Sequence, residues 1–231
     1  MPTPREEMRI VALRLQPLAV PFVFVGGAVM HCLVDRPDLT DFRSTKDVDV
    51  IVAIAGYGSY ARLEERLRAA GFSHDTSEGA PICRWVVDGS HVDIMPAEPS
   101  GLGMNTHWFP QVLQTAVDFD LGDGCPTKVV TPLLFLATKF EAFKDRGGDD
   151  YYGSKDLEDI VTLMDGRARI VEEVAEIIPE VRDFIAGECA RVLQHPDFTD
   201  ALPGHLSVMY GARSRAPIVR QRFESIAGLR T

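Results

Sequence analysis

Arg43-Ser44-Thr45-Lys46-Asp47-Val48-Asp49-Val50-Ile51-Val52 is the stretch on which the reading of this chain turns. Its second half alternates acid and valine and then becomes wholly apolar, which predicts a strand with two faces at its start. Residues two apart on a strand point the same way, so Asp47 and Asp49 share one face while Val48, Val50 and Val52 face a core. Two carboxylates held about 4–6 Å apart repel by roughly 3–4 kcal/mol at an effective dielectric near 20. A divalent cation removes that repulsion, and Mg²⁺ favours one or two carboxylates together with substrate phosphates. The plainer reading is two exposed residues at the start of a strand.

Working outward, the upstream run Val20 to Val25 ends in Gly26-Gly27 and is followed by the helical stretch Ala28 to Val34. Strand, tight turn and helix in that order place bare backbone N–H groups at a positive helix end, an arrangement that binds phosphate without a side chain. A packing turn explains the glycine pair equally simply. A dinucleotide-binding turn does not fit, because Met30 stands where its third glycine belongs and Gly26-Gly27 lacks the spaced first pair. Downstream, Cys83–Val87, Asp88-Gly89 and His91–Met95 predict a hairpin on a primed turn. That hairpin sets Asp93 on a face with His91 and Met95, opposite Val92 and Ile94.

The order strand, Gly-Gly, helix, loop, Arg43-x-Thr45-x-Asp47-x-Asp49 resembles the nucleotidyltransferase superfamily. More narrowly it is similar to the AbiEii/MenT-like group of bacterial toxin-type nucleotidyltransferases. A second block, Lys139-x-x-Ala142-x-x-x-Arg146 followed by Lys155-Asp156-x-x-Asp159-Ile160, resembles the helical pair that follows the catalytic domain in that group, and the likeness spans about residues 20–165. The resemblance implies an α+β fold: a mixed β-sheet core with flanking helices, then a C-terminal helical bundle. It implies metal binding by Asp47 and Asp49, with Asp93 as the third carboxylate, either ligating metal or accepting a proton. Two Mg²⁺ ions and a nucleoside triphosphate are the expected cofactor and substrate. The implied acceptor is an RNA 3′ end such as that of tRNA, a protein hydroxyl or a small molecule, and a cognate antitoxin protein is the implied partner.

Around this core stand further candidates. Lys139 lies in an otherwise apolar helix and is read as a cation reaching the triphosphate, or as a lysine whose stem packs while its amine reaches water. Arg146, seven positions on, shares its stripe. Asp156 and Asp159 are helical neighbours that position Lys139, contact the nucleotide, or favour a helix N-terminus. Arg43 and Thr45 bind phosphate or hold the loop. The six histidines show no ligand spacing, so no zinc site is read from them.

The layout is expected to be a catalytic domain over residues 1–130 and a helical domain over 131–231, the latter with helices at Pro132–Arg146, Lys155–Met164, Ile170–Ile177, Val181–Leu193 and Ile218–Leu229. Ser100 to Gly124 reads as irregular, with one helix near Phe109–Ala116. Hydrophobic residues at 45% and charged residues at 25% are an ordinary globular balance. Cys32, Cys83, Cys125 and Cys189 show no pairing motif and suit reduced thiols in a cytoplasmic protein. Neither a signal peptide nor a membrane span is read from the chain. A net charge of −10 opposes general nucleic-acid binding. From Leu206 onward, however, five arginines face only Glu224, a tail that suits phosphate contact or a solvated helix face. Two other readings keep the same residues: an antibiotic nucleotidyltransferase whose acidic groove takes a cationic aminoglycoside, and a nucleotide- or partner-binding module without turnover.

Overall fold

The computed structural model describes residues 2–35, 45, 47–54, 57–98, 105–146, 150–206 and 212–230. Arg43 lies outside them. The chain divides into two compact units, one of residues 1–32 and 43–131 and the other of 33–42 and 132–231.

The first unit opens with α1 (Pro4–Leu15), started by a capping box in which Thr3 and Glu6 satisfy each other's backbone N–H groups. Its stripe Met8, Val11, Ala12 and Leu15 is buried. Strand β1 (Phe22–Val25) follows, then a 3₁₀ turn over Gly27–Val29 and the single α turn α2 (Met30–Leu33). Next come β2 (Asp47–Val52), α3 (Tyr57–Ala69), β3 (Ser73–His74), β4 (Arg84–Val87) and β5 (Ser90–Pro96). The unit ends with α4 (Phe109–Thr115), β6 (Val117–Asp120) and β7 (Pro126–Val129). The strands form one seven-stranded sheet in the order β3-β4-β5-β2-β1-β7-β6. It is mixed: β2 runs parallel to β5 and β1 parallel to β7, while β1–β2, β3–β4, β4–β5 and β6–β7 are antiparallel. The central strand β2 is buried at Val48, Val50, Ile51 and Val52, and α1 and α4 pack on it.

Two details differ from expectation. Residues 117–124, the last part of the tract expected to be irregular, form β6 and the turn of a β6–β7 hairpin closed through Gly122, Asp123 and Gly124, all with positive φ. Val117-Asp118-Phe119-Asp120 is an edge strand whose residues are exposed or only half-buried, so hydrophobic periodicity had nothing to register there. The helix expected over Ala28–Val34 is a 3₁₀ turn plus one α turn, too short to develop a large dipole.

The second unit is helical: α5 (Pro132–Arg146), α6 (Lys155–Gly166), α7 (Ile170–Glu176), α8 (Pro179–Gln194), α9 (Pro196–Ala201) and α10 (Ala212–Ala227). Helix α5 packs on α6 and α8, and α10 on α6, α7 and α8. Phe135, Phe140, Phe143, Ile160, Ile185, Phe198 and Phe223 are fully enclosed in this unit. Helix α10 starts ahead of Pro217 and runs through it, although a proline usually marks a helix start; its missing N–H leaves one intrahelical bond unmade. Among the described residues no helix is long and apolar enough to cross a membrane.

Candidate active site

Strand register gathers the acids. Across the sheet Arg84 of β4 pairs with Asp93 of β5, Asp93 with Asp49 of β2, and Asp49 with Val25 of β1. Neighbouring strands lie about 4.8 Å apart, and paired residues point to the same face. Asp47, two residues before Asp49, joins that face. Three carboxylates from two adjacent parallel strands therefore share one small area, with Val48, Val92 and Ile94 buried behind them.

Gly26 closes the row. Its φ of 68° and ψ of −166° lie in a region essentially reserved for glycine. A Cβ at this position would overlap the Asp49 carboxylate. The bare backbone thus lets Asp49 lie directly against the turn, and Val29 N–H closes that turn on the Gly26 carbonyl at 3.4 Å. Gly26→Ala combines backbone strain with this overlap and is expected to cost about 1–3 kcal/mol in denaturant unfolding. An unchanged midpoint would show that the turn and Asp49 relax apart freely.

Arg84 was not among the residues read from the sequence. Its Nε and Nη2 fork onto Asp93 at 2.8 Å each, and Nη2 also reaches Asp47 at 2.5 Å. The hydrogen bonds to Asp93 raise the guanidinium pKa; burial opposes them, and the charges of Asp93, Asp47 and Asp49 add to the rise. The signal was present in the hairpin. Counting outward from the Asp88-Gly89 turn brings residue 84 opposite residue 93. A further acid, Glu7 of α1, has its carboxyl pKa raised by burial and then by the charge of Asp47.

These residues suit Mg²⁺ delivered with phosphate better than a ready-made cage. Asp47 and Asp49 provide two hard oxygen donors on one strand, and Arg84 on Asp47 and Asp93 shows that this face draws a cation. Among the described residues, no group of three or more His, Cys, Asp or Glu is gathered as a preformed metal site. The Thr45 hydroxyl oxygen, two residues before Asp47, is buried without a hydrogen-bond partner among the described residues. A polar ligand would relieve that cost.

The later candidates meet one another in the helical unit. Lys139 Nζ lies 3.0 Å from Asp156 and 2.6 Å from Asp159, and Arg146 Nε lies 3.0 Å from Asp156. Lys139, Asp156 and Asp159 are buried, whereas Arg146 lies mostly in solvent. Burial by itself would raise the Asp156 carboxyl. The charges and hydrogen bonds of Lys139 and Arg146 outweigh it and hold the group below its ordinary 3.8. The cluster joins α5 to α6, and Ser154 caps the latter through Leu157 N–H. Two of the C-terminal arginines meet the end of α6. Arg215 pairs with Asp165 at 2.5 Å, and Arg222 donates to the Met164 and Asp165 carbonyls at the end of α6. Cations at a helix C-terminus offset its exposed carbonyls. These two side chains therefore serve helix packing and do not form a free phosphate-binding face.

No protein-family model matches this chain, and no curated protein matches it. Solved structures do. JHP933 from Helicobacter pylori is 11% identical with a TM-score of 0.51, covering 96% of this chain and 90% of its own. An antigenic nucleotidyltransferase-like protein from Paracoccidioides brasiliensis is 18% identical with a TM-score of 0.49, covering 89% of this chain and 94% of its own. ANT(2")-Ia, solved in complex with adenylyl-2"-tobramycin, is 14% identical with a TM-score of 0.47, covering 82% of this chain and 99% of its own. At 11% identity the likeness to JHP933 is one of fold alone.

Proposed function

We propose that this chain transfers a nucleoside monophosphate from a nucleoside triphosphate to an acceptor hydroxyl and releases pyrophosphate. The observation carrying this reading is the row Asp93, Asp49, Val25 with Asp47 alongside and Gly26 against Asp49. It sets paired carboxylates beside bare backbone, as a metal-bound triphosphate requires.

In this reading the backbone N–H groups at Gly26-Gly27 orient the β and γ phosphates, and the Thr45 hydroxyl donates to a phosphate oxygen. Asp47 and Asp49 would hold Mg²⁺, two ions being our expectation, and the metal would lower the acceptor hydroxyl's pKa and offset charge on the leaving pyrophosphate. The acceptor oxygen attacks the α-phosphorus in line while the bond to the bridging oxygen of pyrophosphate breaks. Asp93 takes the hydroxyl proton or completes the ligand set, the two roles its place beside Asp49 allows. Lys139, with Asp156, Asp159 and Arg146, forms a braced ion cluster of balanced formal charge whose part in nucleotide binding is also a proposal, as is that of Arg43.

Membership of the AbiEii/MenT-like toxin group, with tRNA or another RNA as acceptor and an antitoxin as partner, is the finer form of this reading. It rests on the residue patterns at 26–49 and 139–160. The net charge of −10 favours a second form, in which the acceptor is a cationic aminoglycoside. The test is incubation with each α-labelled triphosphate, Mg²⁺ and either bulk tRNA, aminoglycosides or no acceptor. Label in RNA supports the toxin-type form, and label in the drug supports the second. Triphosphate binding with no transfer to any acceptor would overturn both and leave a binding module.

A further inference from the structure

We infer that Arg84 is an internal counter-cation to Asp47 and Asp93, and that its guanidinium gives up Asp47 when a divalent metal seats between Asp47 and Asp49. The inference deepens the nucleotidyltransferase reading and rests on it. Arg84 does not reach the acids by chance of rotamer: β4 pairs it directly with Asp93, so every closed β4–β5 hairpin delivers it there. Its contacts to the two acids are unequal. Asp93, with 12% of its side chain exposed, takes both arms of the fork, a geometry that is planar, charge-assisted and specific to arginine. Asp47, 34% exposed, takes a single bond from a nitrogen already shared with Asp93. The Asp47 contact is therefore the one that can be released while the Asp93 fork is kept.

Arg84 spans Asp47 and Asp93, so it and a divalent ion compete for the same Asp47 carboxylate. Arg84 is thus a positioning residue. It keeps the acids together before metal binds and weakens metal binding until the Asp47 bond is broken.

The experiment is a Mn²⁺ titration of the full chain without nucleotide, followed by electron paramagnetic resonance, on wild type, Arg84→Gln, Arg84→Lys, Asp47→Asn and the Arg84→Gln/Asp47→Asn pair. Arg84→Gln is expected to bind one Mn²⁺ at least about fivefold more tightly than wild type, since metal no longer displaces an ion pair. Its melting temperature should fall without metal and recover as Mn²⁺ is added. Arg84→Lys keeps the charge but not the fork and should fall between the two, which preserves the test if Arg84→Gln does not fold. Equal or weaker binding in the Arg84 variants, with binding still lost on Asp47→Asn, overturns this inference and leaves the functional reading intact. If Asp47→Asn alters Mn²⁺ binding in neither background, the metal does not sit at these acids and both fall.

Discussion

Asp49→Asn is expected to cut transfer of label from an α-labelled triphosphate by about a thousandfold, which corresponds to about 4 kcal/mol of lost transition-state stabilisation. The melting temperature should hold or rise, because asparagine keeps the volume of the side chain and lowers the density of negative charge beside Asp47 and Asp93. Asp49 is the sharpest of the three tests. It is the acid paired with both Asp93 and Val25, and its carboxylate lies against Gly26. Asp47→Asn should lower transfer similarly while sparing the Arg84–Asp93 fork. Retention of more than a tenth of wild-type transfer in the Asp49 variant would remove this row from the chemistry. A large fall in melting temperature would instead assign it to packing.

The second large effect concerns stability. Lys139→Met leaves Asp156 and Asp159 buried and facing one another without the ammonium that joins them. Removing one partner from a buried ion pair costs about 3–5 kcal/mol, here a fall on the order of 10 °C in melting temperature. Adding Asp159→Asn to that variant should recover part of the loss. The pH dependence has a definite sign. Because the Asp156 carboxyl is held below 3.8, its contribution is fully present above that value and is lost as pH falls through the lowered folded-state value. The penalty for Lys139→Met should therefore shrink in acid melts as the Asp156 carboxylate becomes protonated. A Lys139→Met protein that melts like wild type at neutral pH would show that the cluster does not hold α5 to α6.

Much of this was legible along the chain, because the signals were local. The alternation at Asp47–Val52 and the Asp88-Gly89 turn are properties of a few adjacent residues, and the helix over 132–146 needed only its apolar stripe and Pro132 at the first turn. The β6–β7 hairpin was missed for the converse reason: the residues of β6 are exposed or half-buried, and its identity comes from hydrogen bonds to β7.

From residue order alone one can place Asp47 and Asp49 on one face, set glycines at a strand's end, and expect helices after residue 131. Order alone could not reveal that β2 and β5 run parallel in a register that brings Asp93 to Asp49. Nor could it show Gly26 pressed against the Asp49 carboxylate, Arg84 bridging two of the acids, or Lys139 held by Asp156 and Asp159. Periodicity reports which way a side chain faces within its own element. Which charges meet depends on strand register and helix packing, and these are set by burial summed over the whole core.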